Sequence, residues 1–575
     1  MIKLLKRLKP FTVPIIIVTT LVFLQAIAEL YLPNIMSDIV DVGIVNADTD
    51  YILRRGLLML AIAGAAGIFT IIASYLGAKV AVGYGRNLRK NVFSRVESYS
   101  LHEFNKIGTA SLITRTTNDI NQMQNVVVIM LRLMIYAPLM FIGGVIMSVD
   151  KDPKLATILI FVLPVILAVI LWLVKKGMPL FKSLQKKLDK VNLVFRERLT
   201  GIRVIRAFNK IDRERKRFDE ASLDLTETGI KVNRIMAFLM PALMLIINLA
   251  TIAVVWFGGH RIDSGAMQVG DLMAFIQYIM RIMFSLMMLS MMFIMIPRAS
   301  ASAERINEVL DMYPEINDPE NPVETDGRKG YIEFRNVCYK YPGAEECAIK
   351  NISFSAKPGE TTAIIGGTGS GKTTLVSMIP RFYDAEVGEI LIDGVSIKDM
   401  TQEHLRKKIG YVPQKAVLFT GSVAENIRYG NPEATMEEVE SAAVAAQAME
   451  FIEEREGKFE SIISQGGTNI SGGQKQRLSI ARALVRKPEI YIFDDSFSAL
   501  DFKTDAKLRE ALKSVTSEST VIIVAQRVST IMNSDRIIVL DNGSISGIGT
   551  HRELLAGNDI YREIVASQLS EEELS

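Results

Sequence analysis

The 575-residue sequence has few cysteines and almost no excess of one charge. Its two cysteines, Cys338 and Cys347, are too few for a disulfide framework and are expected to be reduced thiols. The formal net charge of +3 is too small to indicate the basic surface of a nucleic-acid-binding protein. These absences argue against a disulfide-rich secreted domain and against nucleic acid as a partner.

A cleavage site for a signal peptide is also missing. The chain begins with a basic segment, MIKLLKRLKP, that leads into an apolar run. No small-residue cleavage site follows that run, whereas further apolar runs do. We therefore predict that the first run is a membrane helix.

Apolar residues are abundant, at 49% of the chain, and long apolar runs are concentrated before about Arg298. Crossing a bilayer takes ~20 mostly apolar residues. The segments of that kind are 11–32, 57–82, 126–149, 155–174, 236–258 and 272–296. The sequence therefore predicts an all-α transmembrane domain of six helices over residues 1–310, followed by a linker over 311–330.

The loops between these spans alternate in length and charge. Segments 83–125 and 175–235 are long and rich in lysine and arginine, whereas 150–154 and 259–271 are short. The positive-inside rule places the N-terminus, both long segments and everything after the sixth span in the cytoplasm of a cell-membrane protein. Helical periodicity in the long segments predicts that the spans continue as helices into the cytoplasm.

The turns of these helical extensions are candidates for meeting the soluble domain. Two segments suit such turns, 111–119 and 199–208. The alternative is that both are merely solvated helical hairpins.

Polar residues interrupt the apolar spans or lie at their ends: Gln25, Glu29, Arg132, Asn248, Gln277 and Arg281. Polar groups in lipid are costly and usually face the interior of a helix bundle, where they can line a substrate pathway. Hydrogen bonds between helices are the alternative role. The sixth span is also rich in methionine, whose flexible thioether suits varied apolar ligands or simple packing.

The soluble half, residues 331–575, contains a phosphate-binding loop. A short buried strand, TTAIIG, leads directly into GGTGSGKTT. Glycines let such a loop turn its backbone N–H groups toward phosphate oxygens, the lysine adds positive charge, and the next hydroxyl can bind Mg²⁺. The predicted nucleotide-binding residues are Gly366, Gly367, Thr368, Gly369, Ser370, Gly371, Lys372, Thr373 and Thr374.

Two further motifs follow the loop. The apolar strand IYIFD ends at Asp494, which is expected to hold Mg²⁺ together with Thr373. Before it lies ISGGQKQRLSIARAL, where Ser471 can cap a helix whose first residues leave backbone N–H groups open to an anion. The loop and the strand predict an α/β P-loop NTPase, while SGGQ alone is compatible with an ordinary helix start.

In this order, the P-loop, SGGQ and the strand ending in aspartate resemble the ATP-binding cassette of ABC transporters. Tyr341 in YKYPG resembles the aromatic residue that stacks on adenine, and Gln414 in GYVPQ resembles the Q-loop glutamine that contacts Mg²⁺. SQGGTN and the D-loop-like SALD at 498–501 also match the family. The resemblance covers nearly the whole chain and is to one chain of bacterial heterodimeric ABC exporters of the multidrug type.

This resemblance implies a six-helix transmembrane domain with cytoplasmic helix extensions, joined to a cassette with antiparallel β and helical subdomains. It implies an ATPase that exports amphipathic compounds or drugs. In such exporters two cassettes enclose two ATP molecules head to tail. Ser471, Gly472, Gly473 and Gln474 would then serve the ATP of a partner chain. An ATP-gated channel, a regulatory subunit, or an exporter of lipids or peptides are the alternatives.

Two residues depart from the family pattern. The usual Asp-Glu pair is Asp494-Asp495 here, and Gln526 replaces the switch histidine. Aspartate reaches about 1.5 Å less far than glutamate, and a misplacement of about 1 Å can cost ~100-fold in rate. Glutamine can hydrogen-bond to a γ-phosphate but carries neither a titrating proton nor positive charge.

We therefore expect a site containing Asp495, Gln526 and Gln414 that binds ATP and Mg²⁺ but hydrolyses ATP slowly. Such asymmetry predicts a second, non-identical half-transporter as the partner, in addition to the lipid bilayer and a small amphipathic substrate.

Overall fold

The computed structural model describes residues 1–325 and 329–568, and it divides into two compact units. The first unit consists of Met1–Glu97 and Gly108–Met312. The second consists of Ser98–Ile107 and Tyr313–Ser575.

The first ten α-helices belong to the first unit, except for α4, which belongs to the second. They are α1 (Ile2–Leu5), α2 (Thr12–Asp38), α3 (Thr49–Glu97), α4 (Leu101–Ile107), α5 (Thr109–Thr114), α6 (Ile120–Lys151), α7 (Pro153–Thr200), α8 (Ile202–Ala207), α9 (Ile211–Asp263) and α10 (Val269–Asp311). A 3₁₀ turn, Lys6–Phe11, precedes α2, and single π-helical turns, Ile39–Ile44 and Arg115–Asp119, follow α2 and precede α6.

Six helical stretches of the described chain are long and apolar enough to cross a membrane: Ile2–Ile44, Thr49–Glu97, Thr109–Lys151, Pro153–Thr200, Ile211–Asp263 and Val269–Leu289. Helices α3, α7 and α9 have 49, 48 and 53 residues, more than twice the ~20 that a crossing requires. The predicted six-helix membrane domain with helical extensions is thus confirmed.

The short outer turn between α6 and α7 is fixed by Asp152. Its carboxylate accepts hydrogen bonds from the backbone N–H groups of Lys154 at 2.9 Å and Leu155 at 2.8 Å, while Pro153 occupies the first position of α7. An acidic N-cap followed by proline is a strong helix start. Arg261 of α9 donates to the other oxygen of Asp152 at 2.6 Å and connects this turn to the end of α9.

The first cytoplasmic turn lies earlier in the chain than predicted. Residues 109–119 are helical and lead directly into α6, and Arg115 among them pairs with Glu308 of α10 at 2.7 Å. The preceding helix α4 belongs to the second unit, where its buried Glu103 accepts a hydrogen bond from the N–H of Glu315. The prediction of a turn at 111–119 is therefore wrong, whereas α8 forms the second turn within 199–208 as expected.

The strands belong to the second unit. They are β1 (Ile332–Tyr339), β2 (Ile349–Ala356), β3 (Thr361–Gly366), β4 (Val387–Ile392), β5 (Val395–Ser396), β6 (Ile409–Val412), β7 (Gly421–Ser422), β8 (Ile462–Ile463), β9 (Ile490–Asp494), β10 (Thr520–Val524), β11 (Arg536–Asp541) and β12 (Ser544–Gly549). The order β2-β1-β4-β5 forms an antiparallel sheet, and β12-β11-β3-β10-β9-β6 forms a second sheet, parallel except at β12.

Besides α4, the described part of this unit contains the α-helices α11 (Lys372–Met378), α12 (Gln402–Lys407), α13 (Val423–Arg428), α14 (Met436–Ala445), α15 (Met449–Glu453), α16 (Gly472–Leu484), α17 (Phe502–Val515), α18 (Val528–Ile531), α19 (His551–Gly557) and α20 (Asp559–Ala566).

The six-stranded sheet is buried on both faces because its central strands are mostly apolar. In β3, Ile364 packs into one hydrophobic core while Ile365 packs into the other, and Ile492 and Phe493 of β9 divide in the same way. Alternate side chains of a strand point to opposite faces. The carboxyl ends of the parallel strands β3 and β9 therefore meet at one edge of the sheet, where the predicted ATP site lies.

Candidate ATP site

The P-loop turns tightly between β3 and α11, and glycine is required at two of its positions. A Cβ atom on Gly366 would lie 2.2 Å from the carbonyl oxygen of Leu540. Gly371 has a φ of +96°, and a Cβ atom there would lie 2.9 Å from the carbonyl oxygen of Ala348. Only glycine adopts such a conformation without strain. The loop therefore brings Lys372 to the first position of α11.

The ammonium group of Lys372 is held inside the loop. Nζ donates to the carbonyl oxygens of Gly366 at 2.8 Å and Gly367 at 2.7 Å. Burial lowers the pKa of Lys372, and the nearby charges of Asp495 and Asp494 oppose that shift. The lysine thus supplies a positive charge at the point where the loop N–H groups converge, which suits phosphate oxygens.

Asp494 ends β9 beside the first turn of α11. The Thr373 hydroxyl donates to Asp494 Oδ1 at 3.0 Å, and the Tyr411 hydroxyl lies 3.4 Å from Oδ2. The carboxyl group is buried, and burial raises its pKa, against the effect of these two hydrogen bonds. A hydroxyl and a carboxylate this close offer the oxygen ligands that Mg²⁺ prefers, so these residues fit the predicted metal.

Asp495 lies directly after the strand, with its backbone in the left-handed region at a φ of 48°. This conformation turns its side chain away from Thr373 and toward two glutamines. Gln526 Nε2 donates to Asp495 Oδ2 at 2.9 Å, and Gln414 Nε2 donates to the same oxygen at 3.2 Å. The three residues predicted for catalysis therefore converge on one carboxylate oxygen.

The pKa of Asp495 is raised by burial, while the hydrogen bond from Gln414 and the positive charges of Lys372 and Arg527 oppose the rise. Gln526 is neutral and donates a hydrogen bond to Asp495, but it adds no charge. The positive charges near Asp495 thus come from Lys372 and Arg527, and the residue at the switch position adds none.

Tyr341 presents an aromatic surface next to α11. Its hydroxyl lies 2.8 Å from the Thr374 hydroxyl, and its ring is 38% exposed. The rings of Tyr339 and Tyr383 meet it edge to face at 5.0 and 5.7 Å. These contacts hold the ring in place and leave a face open for stacking on a planar base.

The SGGQ segment starts α16 with a complete capping box. Gln474 N–H donates to Ser471 Oγ at 3.2 Å, and Ser471 N–H donates to Gln474 Oε1 at 3.0 Å. Gly473 approaches the backbone of Ala499, where a Cβ atom would lie 3.1 Å from the carbonyl oxygen. Within the described residues, the hydrogen bonds of 471–474 are local to this helix start, which is exposed and does not join the P-loop of the same chain.

Sequence reasoning missed three residues that contact this site. Tyr411 lies within the GYVPQ motif and contacts Asp494. Arg527 donates to the carbonyl oxygen of Ser498, and Gln568 donates to the carbonyl oxygen of Gln526. Tyr411 could have been suspected because it lies on β6, three residues before Gln414, whereas no local pattern marks Gln568.

Three of the polar residues predicted in the spans come together, and Tyr136 joins them. Gln25 Nε2 donates to Glu29 Oε1 at 2.9 Å, Tyr136 donates to Oε2, and Arg281 Nη1 lies 3.4 Å from Oε2. Arg132 and Asn248 are exposed instead. The polar residues of the spans thus include one cluster that joins α2, α6 and α10.

Comparisons with known proteins agree with both units. Residues 15–287 match the family "ABC transporter transmembrane region", and residues 349–498 match the family "ABC transporter". An uncharacterised ABC transporter ATP-binding protein of Mycobacterium tuberculosis is 40% identical over 98% of this chain and 97% of its own length.

Two further comparisons add a substrate name and a structure. A fatty acid ABC transporter ATP-binding/permease protein of Mycobacterium bovis is 34% identical over 83% of this chain and 75% of its own. The structure of a bacterial Atm1-family ABC exporter with ATP bound superimposes with a TM-score of 0.81 at 26% identity, covering 97% of this chain and 99% of that one.

Proposed function

Because this chain belongs to the ABC transporter family, we propose that it is one half of a heterodimeric exporter whose own ATP site binds nucleotide and hydrolyses it slowly. The chain is a multi-pass membrane protein with a cytoplasmic ATP-binding domain and the ATPase domain of an ATP-driven exporter. The observation that carries the proposal is the surroundings of Asp495, where two neutral amides share one carboxylate oxygen.

The residues that bind nucleotide are complete. Lys372 and the loop N–H groups bind the phosphates, and the exposed ring of Tyr341 stacks on adenine. Thr373 and Asp494 would hold Mg²⁺, which when bound neutralises charge on the β- and γ-phosphates. The P-loop side of the ATP site is therefore complete on this chain.

The residues that would activate water are incomplete. A general base must come within hydrogen-bond reach of the water that it deprotonates, and Asp495 is about 1.5 Å shorter than the usual glutamate. Gln526 holds the side chain of Asp495 at 2.9 Å but brings no positive charge to the γ-phosphate. We expect ATP to remain bound at this site while a second site, with the usual glutamate and histidine, hydrolyses several ATP molecules.

The complete site is assigned to a partner chain. The start of α16 is exposed and preorganised by the capping box of Ser471 and Gln474, so its N–H groups can meet the ATP of another cassette. A partner carrying glutamate and histidine at the positions of Asp495 and Gln526 would supply the hydrolytic groups. Two copies of this chain would contain two slow sites.

Helix α8 provides a surface that suits an assembly of two chains. Val204 of α8 and Phe208, which directly follows the helix, are 61% and 70% exposed, respectively. Large apolar side chains at a cytoplasmic turn favour burial against another protein surface. We assign this surface to the cassette of the partner chain, which would transmit closure of the cassettes to the membrane helices.

We propose that the transported compound is amphipathic. An apolar cavity of about 150 Å³ lies between α1, α6 and α10, and its lining includes Met1, Met130, Met134, Met292 and Met295. Flexible thioethers adapt to varied apolar groups. The name of the fatty acid transporter of Mycobacterium bovis supports the narrower alternative, export of a lipid.

The assignment of sites is tested by removing the P-loop lysine from one chain at a time. In the co-expressed pair, Lys372→Ala is expected to retain part of the ATPase activity, because it affects the slow site. The equivalent substitution in the partner is expected to abolish activity. If Lys372→Ala alone abolishes turnover and the partner substitution does not, the slow site lies on the other chain.

A further inference from the structure

The charged pair of Glu29 and Arg281 lies within the predicted membrane spans. Glu29 is three residues from the outer end of the span 11–32, and Arg281 is nine residues from the outer end of the span 272–296. A charged pair within an apolar span is costly and indicates a functional site.

The two members of the pair differ in how many hydrogen-bonding partners they have. Glu29 accepts from Gln25 at 2.9 Å on one oxygen and from Tyr136 on the other, so two neutral donors satisfy it. Arg281 carries five N–H donors, and the hydrogen bond described for it in residues 1–325 and 329–568 is the 3.4 Å contact with Glu29. The guanidinium is therefore the group with capacity for a further partner.

The other residues of this chain do not cover the pair completely, since the side chains of Arg281 and Glu29 are 23% and 24% exposed. A ligand can therefore reach it. Moving Arg281 to a new partner leaves Glu29 held by Gln25 and Tyr136. Moving Glu29 instead would break all three contacts. The geometry therefore favours a ligand that binds the guanidinium and carries negative charge, because planar guanidinium groups pair with carboxylates and phosphates.

From this we infer that Arg281 binds the acidic headgroup, carboxylate or phosphate, of the exported compound, with Gln25 and Tyr136 holding Glu29 as the resting counter-ion. This inference rests on the proposed function, since it assumes that the membrane domain exports an amphipathic compound. It specifies the chemical class of that compound, an amphipathic anion.

The test compares uptake of four fluorescent probes with one hydrocarbon tail into inside-out vesicles containing the full transporter with its co-expressed partner. The headgroups are a carboxylate, a phosphate, the methyl ester and a primary amine. We expect the wild type to prefer one or both anions, and Arg281→Gln to raise KM for that anion about tenfold while changing the ester less than twofold. Arg281→Lys should restore part of the affinity, and the preferred anion identifies the headgroup.

Lys151→Gln is the matched control, because it also breaks an ion pair of the membrane domain, the one with Asp271 at 2.7 Å. It should affect all four probes equally. Equal losses for anion and ester in Arg281→Gln, or preference for the amine in the wild type, would overturn the inference while leaving export established. If no probe is exported by the wild type, the proposed function fails together with it.

A separate observation concerns Gln568, which lies two residues beyond the end of α20. The Gln568 side chain accepts a hydrogen bond from Val528 N–H at 2.9 Å and donates to the carbonyl oxygen of Gln526 at 2.8 Å. It therefore holds the backbone on both sides of Arg527. Val528 begins α18, which has no side-chain cap of its own, so Gln568 satisfies a free N–H group at that start.

We propose that Gln568 is a positioning residue that orients the Gln526 side chain toward Asp495 and the γ-phosphate. Because Gln526 contacts only the third phosphate in this scheme, loss of Gln568 should weaken binding of ATP but not of ADP. We expect Gln568→Ala in the full-length chain to weaken ATP about threefold and to leave ADP unchanged. Gln568→Glu keeps the hydrogen-bond acceptor and loses the donor. Its ATP affinity should lie between those of the wild type and Gln568→Ala.

The double substitution distinguishes positioning from general stability. If Gln568 acts through Gln526, then Gln568→Ala should cause no further loss of ATP affinity in a Gln526→Ala background. Ser567→Ala is the control, because among the described residues the Ser567 hydroxyl bonds locally, to the carbonyl oxygen of Ile564 in α20. Equal weakening of ATP and ADP, or additive losses in the double variant, would overturn the proposal.

Discussion

The ATP site has a nucleotide-binding side and a water-activating side, which meet at the peptide bond between Asp494 and Asp495. The nucleotide-binding side contains the family's usual residues, whereas the water-activating side does not. On one side, Asp494 is 1% exposed at the end of β9 and is joined to Thr373. On the other, Asp495 turns away at a positive φ and is held by two neutral amides. Most of the nucleotide binding and the activation of water thus depend on separate groups, so hydrolysis can be lost while binding is largely kept.

The largest expected effect comes from completing the hydrolytic side. Asp495→Glu with Gln526→His should raise ATP turnover at this site by roughly 100-fold, the range of a well-placed general base. The measurement is single-turnover hydrolysis in the assembly whose partner site has been inactivated at its P-loop lysine. Asp495→Glu alone should give less, because the switch position would still lack positive charge, and no gain in the double variant would mean that other residues limit the rate.

The next effect concerns the binding side. Lys372→Ala should weaken ATP binding by roughly 30-fold, because hydrogen bonds to a charged group are lost. Asp495→Asn should change ATP affinity by less than about threefold. Nucleotide titration of the full-length chain measures both, and equal losses would show that binding and hydrolysis share the same groups.

A smaller effect is expected at the adenine surface. Tyr341→Ala should weaken ATP about tenfold, since stacking of a base on an aromatic ring contributes ~1–3 kcal/mol. Tyr341→Phe keeps the ring and removes the hydroxyl contact with Thr374, and it should retain most of the affinity. If Tyr341→Phe weakens ATP binding as much as Tyr341→Ala does, the hydroxyl group and not the ring contributes the affinity.

The smallest effect is on pH dependence. Burial raises the pKa of Asp494, and the charge of Asp495 adds to that rise. Asp494 therefore takes up a proton at a higher pH than an exposed aspartate, and affinity for ATP with Mg²⁺ should fall as the pH is lowered through that range. Asp495→Asn removes one of these causes and should move the fall to lower pH.

The control for this prediction is ATP titrated in EDTA, which removes the metal and with it the role of Asp494. That titration should lack the part of the pH dependence that Asp495→Asn shifts. A shift of the same size with and without Mg²⁺ would assign the titration to another group.

Much of the site could be predicted because its residues lie in short motifs attached to strand ends. The apolar strands β3 and β9 specify where Lys372 and Asp494 lie, since parallel strands end at one edge of a sheet. Gln568 could not be found in this way, because it reaches Gln526 through tertiary packing of α20. The same holds for Tyr136, which joins Glu29 from a helix in which the sequence analysis singled out only Arg132.

The misplaced cytoplasmic turn has a similar cause. Segment 111–119 contains polar residues that are typical of a turn, but Asp119 bonds to Ser302 at 2.9 Å and is paired with Arg305, which anchors the segment to α10. The sequence alone does not indicate those partners. Helix α4, only seven residues long, carries too few apolar positions to reveal that it belongs to the second unit.

The central claim is that the site on this chain holds ATP while another site hydrolyses it. The most direct measurement is the identity of the nucleotide on each chain during turnover, obtained by photo-crosslinking labelled azido-ATP to the working assembly and separating the chains. We predict that this chain retains mainly the triphosphate while the partner accumulates the diphosphate. Diphosphate appearing on both chains at the same rate would contradict the account.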